Sequence, residues 1–298
     1  SYSRLRVYRS RAQTNMNTTL TAYIQLMRLD KPVGTLLALY PVLFALWFAN
    51  AGMPPLELLL IFILGTFIMR TAGCVVNDVV DQKFDKHVRR TQMRPLAQGV
   101  LSTRHAIILF IGLMLAALFL VLQLNTLTFY LALAVAGLTV FYPWCKRYTY
   151  GPQFILGVVF NAGVLLAYSA SLNALPATAW LLFSACLCWT LAYDTLYAMA
   201  DREDDLKLGL KSTALLFGAY PLHFITLFYL LFFAGLVYMG LITGLKPVFF
   251  LSLLLAIVWT AYQIIKVHAH TDLECIRAFR ANSITGFLTF SGILFAYL

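Results

Sequence analysis

The sequence predicts an all-α polytopic membrane protein, with about nine transmembrane helices in one bundle. Hydrophobic residues make up 61% of its 298 residues and charged residues only 11%, and the mean hydropathy is +0.80. Soluble domains have roughly 25% charged residues. Several apolar runs reach the roughly 20 residues that a helix needs to cross a bilayer. The alternating pattern of a membrane barrel is absent, so the helical solution remains.

Nine apolar segments are the candidate spans. They are residues 33–50, 56–77, 105–123, 127–143, 153–172, 178–200, 222–243, 247–266 and 283–298. Spans three and four are separated only by residues 124–126, which predicts a tight helical hairpin.

The charge of the loops predicts the orientation of the bundle. The loops that follow spans one, three, five and seven contain no lysine or arginine except Lys246. The other loops are basic. Because basic loops stay in the cytoplasm, the N-terminus is predicted to be cytoplasmic and the C-terminus outside. The net charge of +10 thus reflects membrane topology, and no nucleic acid partner is expected.

Residues 1–22 are predicted to be a basic, poorly ordered extension, followed by a transmembrane domain at residues 23–298. The first fifteen residues contain four arginines and no acid. They lack the apolar core of a signal peptide. No function is assigned to this extension.

A first acidic cluster follows the second span. At 100° per residue, Asn77, Asp78, Asp81 and Asp85 fall within a helical arc of about 100°. Three carboxylates and an amide would project from one face at the membrane end of a helix. Such a cluster repels itself unless a cation lies in it.

A second acidic cluster ends the sixth span. On a continuous helix, Asp194, Tyr197, Asp201 and Asp205 share one face. Two acid-bearing helices at the same depth would form a clamp for a hard cation. Mg²⁺ prefers oxygen ligands and commonly completes its shell with substrate phosphates. We therefore predict a magnesium and diphosphate site; solvated helix ends or ion pairs are the alternative interpretation.

Basic residues around these clusters are candidates to bind the same anion. They are Lys83, Lys86, Arg94, Lys146, Arg147, Lys207 and Lys211. Arg70 lies about 10 Å deeper than Asn77 on nearly the same face. An arginine at that depth is costly and normally pairs inside the bundle. It either neutralises an aspartate or binds a carboxylate or phosphate of the substrate.

At these residues the sequence resembles the UbiA superfamily of intramembrane aromatic prenyltransferases, and within it the branch that prenylates 4-hydroxybenzoate. The resemblance extends from about Tyr23 to the end of the chain. The matching stretches are residues 26–34, 69–78, 94–96, 142–143 with 146–147, 193–195 with 197–198, and 209–213. Residues 79–80 and 96–99 depart from the common pattern and leave every acidic position intact.

The resemblance implies particular roles for these residues. Asn77, Asp81, Asp201 and Asp205 would bind Mg²⁺. The implied catalytic residues are Asp81, Asp85, Asp201, Asp205 and Arg147. The implied substrate-binding residues are Arg28, Arg70, Asp78, Lys83, Arg94, Tyr142, Lys146, Asp194, Tyr197 and Lys211. The implied location is a bacterial inner membrane, with lipid around the bundle and the active site on the cytoplasmic side.

The implied reaction is Mg²⁺-dependent transfer of a polyprenyl group from its diphosphate to the ring of 4-hydroxybenzoate, ortho to the hydroxyl, in ubiquinone biosynthesis. Arg147 or Arg70 is the candidate for the benzoate carboxylate. A sister enzyme acting on homogentisate, dihydroxynaphthoate or haem is an alternative. A cation transporter is disfavoured, because transporter sites usually lie near the midplane of the bilayer.

Overall fold

The computed structural model describes residues 19–88, 91–267 and 272–298, and only the backbone of Lys146 and Arg147. Its helices are α1 (19–26), α2 (Val33–Ala49), α3 (Leu56–Asp85), α4 (Thr103–Val121), α5 (Thr126–Tyr148), α6 (Pro152–Leu172), α7 (Ala177–Ala200), α8 (Arg202–Leu208), α9 (Thr213–Leu216), α10 (Pro221–Ile242), α11 (Pro247–Lys266) and α12 (Asp272–Tyr297).

The prediction of an all-α membrane bundle is confirmed. Seven of the described helices, α3 to α7, α10 and α11, are long and apolar enough to cross a membrane. Helix α2 is apolar but has 17 residues, and the 26 residues of α12 begin with a charged segment. Each of these nine helices overlaps one predicted span, although α3 extends eight residues beyond the second span and α12 begins eleven residues before the ninth. The predicted extension at residues 1–22 lies mostly outside the described residues.

Local sequence signals explain where several helices begin. Asn125 caps α5, because its side-chain oxygen accepts a hydrogen bond from the Thr128 amide at 2.9 Å. Helices α6, α10 and α11 each begin with a proline at the first helical position, where no amide donor is needed.

The densest part of the core lies where α2, α7, α10 and α12 meet. Trp189 stacks on Phe232 with 5.0 Å between ring centroids and lies 6.3 Å from Phe44. The buried Asn282 joins three of these helices, since its Oδ1 accepts hydrogen bonds from Trp189 Nε1 at 2.7 Å and Tyr229 OH at 2.9 Å. Polar side chains of this kind connect helices inside a membrane.

Two segments cover the end of the bundle at which α3 finishes. Leu26 of α1 and Leu96 of the α3–α4 loop are buried in one cluster with Val75. Gln82 of α3 holds the α3–α4 loop in place. Its side chain donates to the Leu96 carbonyl at 3.0 Å and accepts from the Thr103 hydroxyl at 3.0 Å. This packing brings the arginines of both segments over α3.

The helix that carries the second acidic cluster is not continuous. Helix α7 ends at Ala200, and α8 begins at Arg202 with acids in its first turn, where they favour a helix N-terminus. Asp201 lies at the junction, with φ −101° and ψ 2°. The helical-wheel positions predicted beyond Asp201 therefore need correction, because they assumed one uninterrupted helix.

Candidate active site

A cavity of about 1090 Å³ runs from the covered end of α3 into the bundle. Its charged residues and most of its other polar residues lie towards one end and come from α3, α5, α7, α12 and the two covering segments. They include Arg28, Asp30, Lys31, Arg70, Asn77, Asp78, Arg94, Tyr142, Tyr193, Asp194, Tyr197 and Arg280. The remaining lining is mostly aliphatic. A single space therefore joins a charged end to an apolar interior.

Asp78 binds two arginines at the charged end. Its carboxylate accepts from Arg28 Nη2 at 2.7 and 2.9 Å and from Arg94 Nη1 at 2.9 Å. The same Nη1 donates to Asp85 at 2.8 Å. Asp78 is only 1% exposed, whereas the arginine side chains are 18% and 17% exposed. The two buried carboxylates thus orient the more exposed guanidinium groups at the cavity.

Arg70 lies deeper, between α2, α3 and α6. Its guanidinium carbon is 5.4 Å from the centroid of the Phe160 ring, and its Nη1 donates to the sulfur of Cys74. Its buried Nε makes no hydrogen bond to any described residue. A Cβ added at Gly34 would lie 2.6 Å from Nη2, so glycine at this position makes room for the guanidinium.

Tyr142 stands where the two acidic clusters approach each other. Its hydroxyl lies within electrostatic range of Asp81, Asp194 and Arg70. The fold therefore brings an acid of α3 and an acid of α7 to the same region as the arginine, across the side chain of an α5 residue.

An aromatic wall lies beside this region. The Phe279 ring is 4.8 Å from the Tyr197 ring and 5.9 Å from the Tyr193 ring, between centroids. All three residues line the cavity. Such a wall suits a flat aromatic group or a developing carbocation.

Other predicted site residues lie outside the cavity lining. Asp81 and Asp85 are buried on α3, at 2% and 6% exposure. Asp201 and Asp205 are half-buried around the α7–α8 junction, and Lys83 is exposed. None of these five lines the cavity.

Of three further predicted basic residues, Lys211 lies away from the cavity, and the side chains of the other two are outside the described structure. Lys211 donates to the Tyr148 carbonyl at 3.1 Å and lies 4.8 Å from the Tyr150 ring centroid. It thus joins the α8–α9 segment to the end of α5. The side chains of Lys146 and Arg147 lie outside the described residues, so their roles remain predictions.

The predictions from sequence did not select Phe160, Phe279, Arg280 or Gly34 as site residues. The first two are aromatic residues in apolar segments and carry no local signal. Arg280 stands three positions before the ninth predicted span, and its place in a cytoplasmic loop was the only available hint. Gly34 belongs to a stretch that matches the superfamily, and its close approach to Arg70 gives that match a physical reason.

The oxygen donors at the site suit Mg²⁺ only in part. Among the described parts of the chain, no group of three or more His, Cys, Asp or Glu side chains is placed to hold a metal ion. Asp78 already accepts three hydrogen bonds from arginines. Asn77 and Asp194 present oxygen atoms at the cavity. Few protein oxygens plus substrate phosphates are what Mg²⁺ commonly uses, so the set fits a metal that arrives with a diphosphate.

Comparison with known proteins identifies the family. The model of the UbiA prenyltransferase family matches residues 38–290. This chain belongs to the UbiA prenyltransferase family. Relatives within it include the 4-hydroxybenzoate octaprenyltransferase of Pseudoalteromonas translucida, 49% identical over 92% of this chain and 94% of that protein. The protein of the same name from Aeromonas hydrophila is 47% identical over 93% of this chain and 96% of its own.

Solved structures of UbiA proteins share the fold. The apo structure of a UbiA homolog from Aeropyrum pernix K1 has a TM-score of 0.75 at 24% identity, covering 89% of this chain and 98% of its own. A UbiA homolog from Archaeoglobus fulgidus bound to GPP and Mg²⁺ has a TM-score of 0.66 at 20% identity, covering 91% and 99%.

Proposed function

We propose that this UbiA protein transfers a polyprenyl group from polyprenyl diphosphate to the ring of 4-hydroxybenzoate, ortho to the hydroxyl, in ubiquinone biosynthesis. The observation that carries the proposal is the cavity, which joins a charged end to an apolar interior. A polyprenyl diphosphate has the same two chemical halves. Full-length relatives named 4-hydroxybenzoate octaprenyltransferase support the choice of acceptor.

The diphosphate would bind at the charged end. Arg28 and Arg94 are already oriented there by Asp78, and a guanidinium matches phosphate oxygens with two parallel hydrogen bonds. The proposed Mg²⁺ ligands are Asn77, which lines the cavity, and Asp81, Asp201 and Asp205, which would approach the metal from the surrounding helix ends. The bound Mg²⁺ would supply positive charge against the negative charge growing on the leaving diphosphate. The fixed arginines act on that same charge without reorganising.

The acceptor would lie between the diphosphate and the deep arginine. The buried Nε of Arg70 has no hydrogen-bond partner among the described residues, and a carboxylate would supply the acceptor. Arg147 is the other candidate for this role. The wall of Tyr193, Tyr197 and Phe279 would pack against the aromatic ring and the allylic carbons.

The reaction breaks the allylic carbon–oxygen bond and leaves positive charge on the allylic fragment. The apolar cavity excludes water, which would otherwise capture that fragment. The ring carbon ortho to the hydroxyl then forms the new carbon–carbon bond. The ring proton leaves to a carboxylate of the second cluster or to the released diphosphate, and aromaticity returns.

The chain would lie in a bacterial inner membrane, with this site on the cytoplasmic side. The support is the distribution of lysine and arginine, which alternates from loop to loop along the sequence.

A prenyltransferase assay on membranes that contain the protein tests the proposal. They would receive Mg²⁺, octaprenyl diphosphate and a panel of 4-hydroxybenzoate, homogentisate and dihydroxynaphthoate, with Asp81→Ala and Asp201→Ala beside wild type. We expect a prenylated 4-hydroxybenzoate from wild type, lost on chelation of Mg²⁺ and reduced about 100-fold or more in both variants.

Glu57→Ala is the matched control, because Glu57 is an exposed acid at the opposite end of α3. Its activity should equal wild type. Absence of product from every acceptor would refute the enzyme, and unreduced activity in both aspartate variants would refute the site.

A further inference from the structure

Arg70 is held by contacts from three helices. A Cβ added at Gly34 of α2 would lie 2.6 Å from its Nη2, 3.1 Å from its Nε and 3.2 Å from its Cζ. Its Cζ lies 5.4 Å from the centroid of the Phe160 ring on α6, and its Nη1 donates to the sulfur of Cys74, one turn along α3. The guanidinium group is therefore fixed in the cavity wall by its neighbours, and only glycine leaves this room at position 34.

The packing of α2 against α6 fixes the width of the space beside the guanidinium group. A Cβ added at Gly163 of α6 would lie 2.5 Å from Val42 Cγ2 of α2. Small residues allow helices to approach this closely inside a membrane. Gly163 lies about one turn beyond Phe160, and Val42 lies about two turns beyond Gly34. The two helices that contact Arg70 are thus in close contact with each other nearby, so a change at position 34 or 160 acts on the guanidinium group.

These contacts leave Arg70 without a counter-ion. Arg28 and Arg94 form ion pairs with Asp78, whereas Arg70 forms none within the part of the chain that the structure describes. Its buried Nε also has no hydrogen-bond partner there. A charge inside a membrane bundle normally has a partner. The arrangement therefore suits an anion that enters the cavity.

A carboxylate fits this site better than a diphosphate does. The three contacts of Arg70 come from a glycine, an aromatic ring and a thiol, which add no positive charge. Arg28 and Arg94, in contrast, bind the same carboxylate and present two positive charges together at the charged end of the cavity. One guanidinium group matches one carboxylate, with two parallel hydrogen bonds.

The surroundings of Arg70 also suit the ring of an aromatic acid. The hydroxyls of Tyr142 and Tyr193 lie within electrostatic range of Arg70. Tyr193 belongs to the aromatic wall, with 5.9 Å between its ring centroid and that of Phe279. An aromatic acid whose carboxylate binds Arg70 would therefore have its ring beside this wall.

We propose that Gly34 and Phe160 are positioning residues that hold Arg70 so that it selects an acceptor with a carboxylate. Gly34 leaves space at Nε, the donor that has no partner among the described residues. Phe160 attracts the cation to the face of its ring. Both residues act through Arg70 and not on the reacting atoms. The inference rests on the proposed function for its aromatic acceptor.

The substitution Gly34→Ala tests the proposal. The new methyl carbon would lie 2.6 Å from Nη2 and 3.1 Å from Nε, so the guanidinium group has to shift. Alanine is a better helix former than glycine, so helix propensity does not oppose the change in α2. Phe160→Leu is a second variant, which keeps an apolar side chain and removes the ring. Arg70→Gln shows how large the effect is when the charge itself is lost.

Gly157→Ala is the matched control. Its Cβ would lie 2.5 Å from Leu187 Cδ1, an equally close approach between α6 and α7, but Gly157 does not line the cavity. Thermal unfolding in detergent would verify that all variants fold.

Each protein would be assayed with 4-hydroxybenzoate and with 4-hydroxybenzamide, an uncharged molecule of nearly the same shape. We expect KM for 4-hydroxybenzoate to rise about tenfold in Gly34→Ala and about threefold in Phe160→Leu. KM for the amide and for octaprenyl diphosphate should stay within about twofold of wild type. The control should match wild type with all three substrates. Equal losses with the acid and the amide, no loss with the acid, or a rise in KM for octaprenyl diphosphate would overturn the inference.

Equilibrium binding of the acid and the amide to the purified proteins, without a prenyl donor, separates this inference from the proposed reaction. A preference for the acid that wild type shows and Gly34→Ala loses supports the positioning role even where no product forms. The same preference in both proteins, or no preference in wild type, refutes the positioning role even where wild type makes the product.

Discussion

At the residue scale, two kinds of polar side chain occur within the motif that begins at Asn77. Asp78 and Asp85 are bonded to arginines, whereas Asn77 presents its amide to the cavity. Helical periodicity predicted that these side chains share a face. It did not predict their partners, because Arg28 lies 50 residues from Asp78 in sequence. Such pairing depends on how covering segments fold over the helix end.

The substitution Asp78→Asn tests whether Asp78 orients the two arginines or binds Mg²⁺. The amide retains the shape but loses the charge that orients Arg28 and Arg94, so we expect KM for the prenyl diphosphate to rise about tenfold. The Mg²⁺ concentration that gives half-maximal activity should stay unchanged, because Asp78 acts through the arginines. Steady-state kinetics with each ligand varied in turn measures both quantities.

Asp81→Asn is the comparison for this prediction. It should raise the Mg²⁺ requirement, since Asp81 is a proposed metal ligand. A shift in the Mg²⁺ requirement of the Asp78 variant would instead make Asp78 a metal-binding residue.

At the element scale, the bundle depends on polar bonds between helices as well as on aromatic packing. Asn282 of α12 accepts from Trp189 of α7 and Tyr229 of α10. Each predicted span overlaps one helix, because composition and length determine spans, whereas the polar extensions of α3 and α12 lie outside the apolar runs. The break at Asp201 was missed, since the residues around it satisfy helical periodicity without interruption. Apolar composition also does not indicate which faces of two spans pack together.

The substitution Asn282→Leu tests how much these two hydrogen bonds stabilise the bundle. It leaves two buried donors, Trp189 Nε1 and Tyr229 OH, without their acceptor, and we expect a loss of about 1–3 kcal/mol in the free energy of unfolding. Unfolding in detergent, followed by tryptophan fluorescence, measures it. Ser291→Ala on the same helix is the control, because Ser291 is half-buried and its hydroxyl donates to the Phe287 carbonyl of its own helix, one turn earlier. Similar stability of the two variants would contradict a structural role for Asn282.

At the scale of the whole molecule, the charged end of the bundle contains both covering segments and both acidic clusters. The loop charges predicted this clustering on one side of the membrane. The shape of the cavity was not predictable, because apolar composition does not indicate which faces of neighbouring helices line a shared space.

Single reporter cysteines test the orientation. One variant, Met53→Cys, places the cysteine in the exposed α2–α3 loop. The other, Gln98→Cys, places it in the exposed α3–α4 loop. Four of the five native cysteines are buried, which keeps background labelling low. In intact spheroplasts, a membrane-impermeant maleimide should label position 53 and reach position 98 only after permeabilisation. The reverse pattern would invert the topology and place the site outside.

The joining of a charged end to an apolar interior has a consequence for what happens after each turnover. The proposed reaction makes one product that is soluble in water and one that is soluble in lipid. The diphosphate would lie at the charged end, which includes exposed residues, while the prenyl tail of the other product would stay in the apolar interior. We therefore expect diphosphate to leave the site before the prenylated acid does.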